Sequence, residues 1–128
     1  MILDSSAIVA IHFEEPEGEA LAQKVALARY KGVAAPTVVE TSLVLARRFD
    51  SRARTILERF LIESEVVVIP FAVPHWRAAA DAFQRYGKGR HPAGLNFGDC
   101  LSYATAKLAD LPLLYVGGDF ALTDIRAA

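Results

Sequence analysis

The sequence has little of what marks a secreted or membrane-bound protein. Cys100 is the only cysteine, so no internal disulfide can form, which fits a reducing compartment. No apolar stretch approaches the roughly 20 residues that span a bilayer. The N-terminus also lacks the basic flank and cleavage pattern of a signal peptide. We therefore expect a cytoplasmic protein that does not enter a membrane.

An excess of charge of one sign is also missing. Fourteen Lys and Arg residues stand against fifteen Asp and Glu residues, for a net charge of −1. Such a surface does not attract nucleic acid as a whole, so any contact with RNA or DNA must be local. No linker-like or low-complexity segment divides the chain, and 53% of its residues are hydrophobic, which excludes disorder. We expect residues 1–128 to form one domain.

Short apolar runs alternate with helical patterns along the chain. MIL (1–3), VAA (33–35), VVVI (66–69) and LLYV (113–116) have the composition of strands, and VVVI is predicted to be the most clearly buried. Between them the pattern predicts a helix over 16–32, with Pro16 in its first turn and Gly32 as its stop. Further helices are predicted over 6–13, 36–49, 51–64, 74–87 and 96–110. The alternation indicates an α/β fold with a short, mainly parallel sheet and helices on both faces.

Four acidic residues are candidates for a ligand site, because such a sheet binds its ligands beyond the carboxyl ends of its strands and could bring acids on its helices to the same edge. Asp4 and Asp119 follow the first and last strands. Taken alone, Asp4 suits an N-cap, Asp119 a turn, and Asp99 a capping box with Asn96. Glu40 lies among apolar neighbours on a helix, where a carboxylate needs a partner. No single acid requires a functional explanation.

Taken together, the four acids suggest a metal site. Carboxylates within a few ångströms of one another repel unless a cation neutralises them, and oxygen ligands without a His or Cys cluster favour Mg²⁺ or Mn²⁺ over zinc. Such a site suits hydrolysis of phosphodiesters by activated water, which the Ser6 hydroxyl could help to orient. His12, His75 and His91 are scattered, and we expect them at the surface, in helix packing and in a loop. Cys100 is expected to pack as a small apolar residue.

Local basic residues could provide a contact with nucleic acid. Arg47 and Arg48 lie two helical turns beyond Glu40, and Lys88 and Arg90 lie in a glycine-containing loop before the NFGD segment (96–99). An ordinary solvated surface explains the same charges, so both interpretations stay open.

Four segments resemble the PIN-domain family, specifically toxins of the VapC type. They are ILDSSAIVAI (2–11), VVETSLVLARR (38–48), YGKGRHPAGLNFGDCLSYATAK (86–107) and GGDFALTDI (117–125). The resemblance covers essentially the whole chain in the right order. It implies a three-layer α/β/α PIN fold and a Mg²⁺- or Mn²⁺-dependent endoribonuclease of a toxin–antitoxin pair.

By position, the resemblance assigns Asp4 and Asp99 as direct metal ligands, with Glu40 and Asp119 completing the pocket. Ser6 and Asn96 match supporting positions. The resemblance also implies a homodimer and a small antitoxin whose C-terminal segment covers the acidic groove, often with an arginine.

The chain departs from the family pattern near the last acid. Relatives commonly read KGNDF or KGDDF there, whereas this chain reads VGGDF, so Val116 and Gly118 replace a basic and a polar residue. The first strand is also about one residue shorter than in many members.

Two other functions compete with the nuclease. One is a PIN-like module that binds RNA or protein without cleaving, although binding alone does not need four converging acids. The other is a metal-dependent phosphoesterase acting on DNA or flaps. Specificity within RNA would come from groove shape and loop contacts.

Overall fold

The computed structural model describes residues 1–128 throughout, and its strands and helices alternate along the chain. No helix in it is both long enough and apolar enough to cross a membrane. The four strands are β1 (Ile2–Leu3), β2 (Gly32–Ala34), β3 (Val67–Ile69) and β4 (Leu113–Leu114). The α-helices are α1 (Ser5–His12), α2 (Gly18–Leu27), α3 (Ala35–Phe49), α4 (Ala53–Glu63), α5 (Val73–Tyr86) and α6 (Phe97–Ala109).

The predicted three-layer α/β/α architecture is confirmed. The strand order is β3-β2-β1-β4, and every neighbouring pair is parallel. One core cluster joins the sheet to α1, α2, α3 and α4, and a second joins it to α5 and α6. Ile2 and Leu3 are adjacent in β1 but belong to different clusters, because successive side chains of a strand point to opposite faces.

The prediction for the second helix is wrong at both ends. The helix α2 begins at Gly18, so Pro16 lies before its first turn, and it ends at Leu27. Gly32 does not stop the helix but opens β2. A Cβ at Gly32 would lie 2.6 Å from Ile69 Cδ1 and 3.1 Å from Ile2 Cδ1. The glycine therefore makes room for side chains of the two neighbouring strands.

The strand predicted to be the most buried is in fact an edge strand. Val67 is 49% exposed and Val68 44% exposed, because β3 pairs only with β2. Their β-branched side chains favour an extended backbone wherever the strand lies. The composition thus identified a strand but carried no information about its place in the sheet.

The parallel order gathers several chain segments at one edge of the sheet. The carboxyl ends of β1 and β4 lie side by side, and the Asp4 N–H donates to Leu114 O at 2.9 Å. The helix α3 starts directly after β2, and α6 starts at the same edge because it runs back to the amino end of β4. This edge, called the carboxyl edge below, receives residues from four different segments.

Asp124 attaches the C-terminal segment to α6, and its hydrogen bonds should make the stability of the fold depend on pH. Tyr103 Oη donates to Asp124 Oδ1 at 2.5 Å, and Lys107 Nζ donates to Oδ2 at 2.8 Å. These two bonds lower the pKa of Asp124 from 3.8 to about 2, and the bond from Lys107 has the larger effect. A lowered carboxyl pKa stabilises the fold above the unfolded-state pKa, and that stability is lost as the pH falls through the folded-state value.

We therefore expect Asp124→Asn to lower the free energy of unfolding by about 1 kcal/mol at pH 7, allowing for the exposure of the side chain to solvent. The difference should shrink as the pH falls from 4 towards 2. Urea unfolding at pH 7, 5, 4 and 3 measures it, with Asp81→Asn as an exposed control. A difference from wild type that is the same at every pH would contradict this account.

Candidate active site

Asp4 directly follows β1 and is 3% exposed. Its Oδ2 atom accepts from the Ser6 N–H at 3.0 Å, as an N-cap of α1 does, and from Ser6 Oγ at 2.5 Å. The Ser6 hydroxyl also accepts from the Val116 N–H at 3.1 Å, which links the ends of β1 and β4. The Oδ1 atom of Asp4 has no hydrogen-bond partner in the chain. One oxygen therefore serves the fold while the other is left free.

Glu40 is half-buried on α3 and reaches towards both α1 and α6. Its Oε1 atom accepts from Ser5 Oγ at 3.1 Å, and its carboxylate lies against Gly98. Burial is the main cause that raises the pKa of Glu40; the hydrogen bond from Ser5 opposes the rise, and the neighbouring acid Asp4 adds to it.

Asp99 and Asn96 form the predicted capping box at the start of α6. The Asp99 N–H donates to Asn96 Oδ1 and the Asn96 N–H donates to Asp99 Oδ2, both at 2.9 Å. The structural interpretation of this pair thus holds, but it uses only one oxygen of Asp99. The Oδ1 atom has no partner within the chain.

Asp119 lies just before the 3-10 turn Phe120–Leu122, and its side chain caps no helix. It is exposed and has no hydrogen bond to its carboxylate. Its backbone forms the turn, since Asp119 O accepts from the Leu122 N–H. The turn explanation therefore accounts for the backbone and leaves the carboxylate unexplained.

The four acids act on one another electrostatically. Burial, followed by repulsion from Asp4, Asp119 and Glu40, raises the pKa of Asp99 to about 6, against the opposing effect of the Asn96 hydrogen bond. All four carboxylates therefore share one region of negative potential. None of them pairs with a Lys, Arg or His side chain, because every ion pair in the structure involves other acids.

The donor chemistry of these residues fits a hydrated Mg²⁺ or Mn²⁺ ion. No three His, Cys, Asp or Glu side chains lie close enough together to make a complete metal cage. Mg²⁺ does not require one, because it keeps several of its waters and is usually held by one or two carboxylates. Each of the four acids has at least one carboxylate oxygen without a hydrogen-bond partner, so all four could contribute to holding such an ion.

The four basic residues predicted to contact RNA have different environments. Arg47 and Arg48 lie about 10–12 Å farther along α3 than Glu40, towards the end opposite the carboxyl edge. Arg48 Nη1 donates to Phe13 O at 3.0 Å, so this side chain already has a structural partner. Lys88 and Arg90 lie exposed in the loop that leads into α6, with the Arg90 guanidinium 5.5 Å from the centre of the Phe83 ring. Of the four, Lys88 and Arg90 are the better placed.

The histidines and the cysteine lie outside the acidic site and have other partners. His12 is not simply at the surface, because its ring packs edge-on against Phe60 and its Nδ1 lies 2.8 Å from Ile8 O. The Nδ1 atoms of His75 and His91 each accept a backbone N–H close by in sequence. Cys100 is buried, and burial raises the pKa of its thiol to about 11, so it stays protonated.

Sequence reasoning missed the roles of Ser5 and Gly98. Ser5 Oγ donates to Glu40 Oε1. In the structure, Gly98 makes room for the Glu40 carboxylate. Both contacts join segments that are far apart in the sequence, so no local sequence pattern predicts them.

The structure accommodates Val116 and Gly118, the two residues that depart from the family pattern. Val116 takes part in the site through its backbone N–H, which any residue except proline supplies, and its side chain packs on the first core cluster. A Cβ at Gly118 would meet nothing within 4 Å. The changed residues therefore leave the contacts around Asp4 and Asp119 intact.

An apolar groove adjoins the acidic site. It has a volume of about 510 Å³ and is formed by α5, the start of α6 and the start of α3. Trp76, Phe83 and Phe97 line it and are exposed. Large aromatic side chains exposed together in this way mark a surface that binds another molecule.

Comparison with known proteins agrees with this geometry. The model of the PIN domain family matches residues 1–125. Ribonuclease VapC36 of Mycobacterium tuberculosis is 48% identical over 127 residues, which cover 98% of this chain and 91% of that protein.

Solved structures share the fold at lower sequence identity. M. tuberculosis VapC20, described as a sarcin-ricin loop cleaving toxin, superposes with a TM-score of 0.80 at 17% identity, covering 99% of this chain and 97% of that one. A toxin–antitoxin complex from Klebsiella pneumoniae gives a TM-score of 0.68 at 20% identity, covering 94% and 89%. By the family model and by the 48% identity to ribonuclease VapC36, the chain belongs to the PIN-domain family, within its VapC group.

Proposed function

We propose that this chain, as a single PIN domain over residues 1–128, is the toxin of a toxin–antitoxin pair and a metal-dependent endoribonuclease. It would hydrolyse phosphodiester bonds of RNA in the cytoplasm, with Mg²⁺ or Mn²⁺ as cofactor. The relatives at 38–48% identity that carry the name VapC ribonuclease support this proposal.

The observation that carries the proposal is the set of four carboxylates at the carboxyl edge. Asp4, Glu40, Asp99 and Asp119 come from four segments, repel one another, and have no cationic side chain as partner. Asp4 and Asp99 each use one oxygen for a helix cap and keep the other free. A binding surface for anionic RNA alone would not benefit from such a concentration of negative charge.

Each residue has a distinct part in this proposal. Asp4 and Asp99 would hold the metal, Glu40 and Asp119 would complete the pocket, and Ser6 and Asn96 fix the side chains of Asp4 and Asp99. When bound, a divalent cation supplies the charge that activates water and neutralises the phosphoryl oxygens. The positive end of α6 lies beside Asp99 and favours its ionised, ligating form. Lys88 and Arg90 contact the RNA backbone, with Arg47 and Arg48 as weaker candidates.

The proposed antitoxin would cover the acidic site and its apolar neighbour. A tail with an arginine next to apolar side chains matches the unpaired carboxylates and the groove lined by Trp76, Phe83 and Phe97. Such a tail would displace the metal or the RNA and silence the enzyme electrostatically. The same proposal includes a homodimer, for which light scattering of the purified protein is the test.

Cleavage of RNA by the purified, antitoxin-free protein tests the function directly. We expect endonucleolytic products with Mg²⁺ or Mn²⁺, none with EDTA, and recovery when Mn²⁺ is restored. The substrates should be single-stranded RNA, structured RNA that includes a sarcin-ricin hairpin, and DNA of the same sequences. Cutting of DNA alone would favour the phosphoesterase alternative, and metal-independent RNA binding without cutting would favour the binding module.

A further inference from the structure

We propose that Ser5 and Gly98 are positioning residues that together fix the Glu40 carboxylate in the acidic site. The inference rests on the proposed function, since it assigns these residues to the metal pocket of that nuclease. It assigns a role to two uncharged residues that are not among the four acids.

Ser5 holds one oxygen of Glu40. It is the first residue of α1 and directly follows Asp4, and its Oγ donates to Glu40 Oε1 at 3.1 Å across 35 residues of sequence. A glutamate side chain has three rotatable torsions and loses much freedom when it is fixed. The bond from Ser5 selects one of its positions and leaves Oε2 without a hydrogen-bond partner.

Gly98 provides the space that this position of Glu40 needs. A Cβ built on Gly98 would lie 2.5 Å from Oε2, 2.7 Å from Oε1 and 2.8 Å from Cδ of Glu40. The backbone of Gly98 is ordinary α-helix in the first turn of α6, where glycine is disfavoured relative to alanine. Its role is therefore the missing side chain and not a special backbone conformation.

The two contacts join the three elements that carry acids. Ser5 follows Asp4 on α1, and Gly98 precedes Asp99 on α6, while Glu40 projects from α3 between them. A shift of Glu40 relative to either neighbour would change the spacing of the carboxylates. Ser5 and Gly98 thus set the relative positions of three acids and need not contact the metal or the RNA themselves.

The first test is the affinity for Mn²⁺, measured by electron paramagnetic resonance. We expect Ser5→Ala to weaken Mn²⁺ binding about 10-fold, within the 10- to 100-fold range typical of residues that orient metal ligands, and Gly98→Ala to weaken it at least as much. Ser5→Thr keeps the hydroxyl and should restore binding. For both disruptive variants kcat should fall while KM for RNA stays near wild type.

Matched controls separate positioning from general damage. Ser42→Ala removes a hydroxyl from α3 that donates only to Val39 O of the same helix. Gly118→Ala adds a Cβ that would have no other atom within 4 Å. Both controls should bind Mn²⁺ as wild type does.

A double-mutant cycle of thermal unfolding without metal tests the contact itself. Alanine favours the helix in both backgrounds, so the change of Tm caused by Gly98→Ala should be less favourable in the wild-type background than in the Glu40→Ala background, where the clashing carboxylate is gone. Equal changes of Tm in both backgrounds would show that Gly98 makes room for something else and would overturn the proposal.

The outcomes separate this inference from the function on which it rests. If the wild type binds Mn²⁺ and cleaves RNA while Ser5→Ala and Gly98→Ala match the controls, the positioning role is wrong and the nuclease stands. If the wild type neither binds Mn²⁺ nor cleaves RNA, the proposed function is wrong and the positioning role is overturned with it.

Discussion

Replacing Asp4 or Asp99 by asparagine should abolish RNA cleavage and growth inhibition while the protein stays folded. The loss should be at least about 100-fold, because changes to residues that merely orient ligands already cost 10- to 100-fold. On the proposed function, the substitution removes a charge that would hold the cation but keeps the shape of the side chain.

The hydrogen bonds explain why folding should survive. Asp4 Oδ2 accepts both bonds from Ser6, and Asp99 Oδ2 accepts the bond from the Asn96 N–H. Asparagine retains one side-chain oxygen, which can take over this role in either position. The amide group then replaces the free oxygen that faces the site.

The measurement compares the rate of RNA cleavage, the growth of cells expressing each variant, and Tm. Asp81→Asn is the control, because it makes the same chemical change on the exposed face of α5. If Asp99→Asn lowers Tm and leaves cleavage intact, capping is the whole role of that residue.

The second large effect is expected for Ser6→Ala. The Ser6 hydroxyl donates to Asp4 Oδ2 and accepts from the Val116 N–H, so its removal takes away one of the two hydrogen bonds to a nearly buried carboxylate and leaves a backbone donor without a partner. We expect cleavage and Mn²⁺ affinity to fall about 10- to 100-fold, the range for lost support of a metal ligand.

Ser6→Thr keeps the hydroxyl and should stay close to wild type in the same assays. Circular dichroism checks that Ser6→Ala still folds, as expected because Asp4 Oδ2 still accepts from the backbone N–H of residue 6 and so still caps α1. A Ser6→Ala protein within about twofold of wild type would mean that the cap alone fixes Asp4.

The overall architecture followed from the sequence because its signals are local. Short β-branched runs and helical periodicities predict elements one at a time, and their alternation predicts a parallel sheet. The errors arose where tertiary packing decides the outcome. Gly32 resembles a helix stop in the sequence, but in β2 it makes room for the side chains of Ile2 and Ile69, and the apolar Val67 and Val68 lie on an edge strand.

The candidate site divides in the same way. The capping box of Asn96 and Asp99 was predictable because its members are three residues apart. The contacts of Glu40 with Ser5 and Gly98 span 35 and 58 positions respectively and depend on how α1, α3 and α6 cross. Asp99 shows why choosing between cap and ligand was misleading, since its two oxygens can serve different purposes.

Titration of Mn²⁺ into the wild type and into Asp99→Asn tests the central claim most directly. The account predicts saturable binding to the wild type, and an affinity at least about 100-fold lower for Asp99→Asn, with Asp81→Asn unchanged. Equal Mn²⁺ binding by the wild type and Asp99→Asn would contradict the claim that the four acids at the carboxyl edge form the metal site.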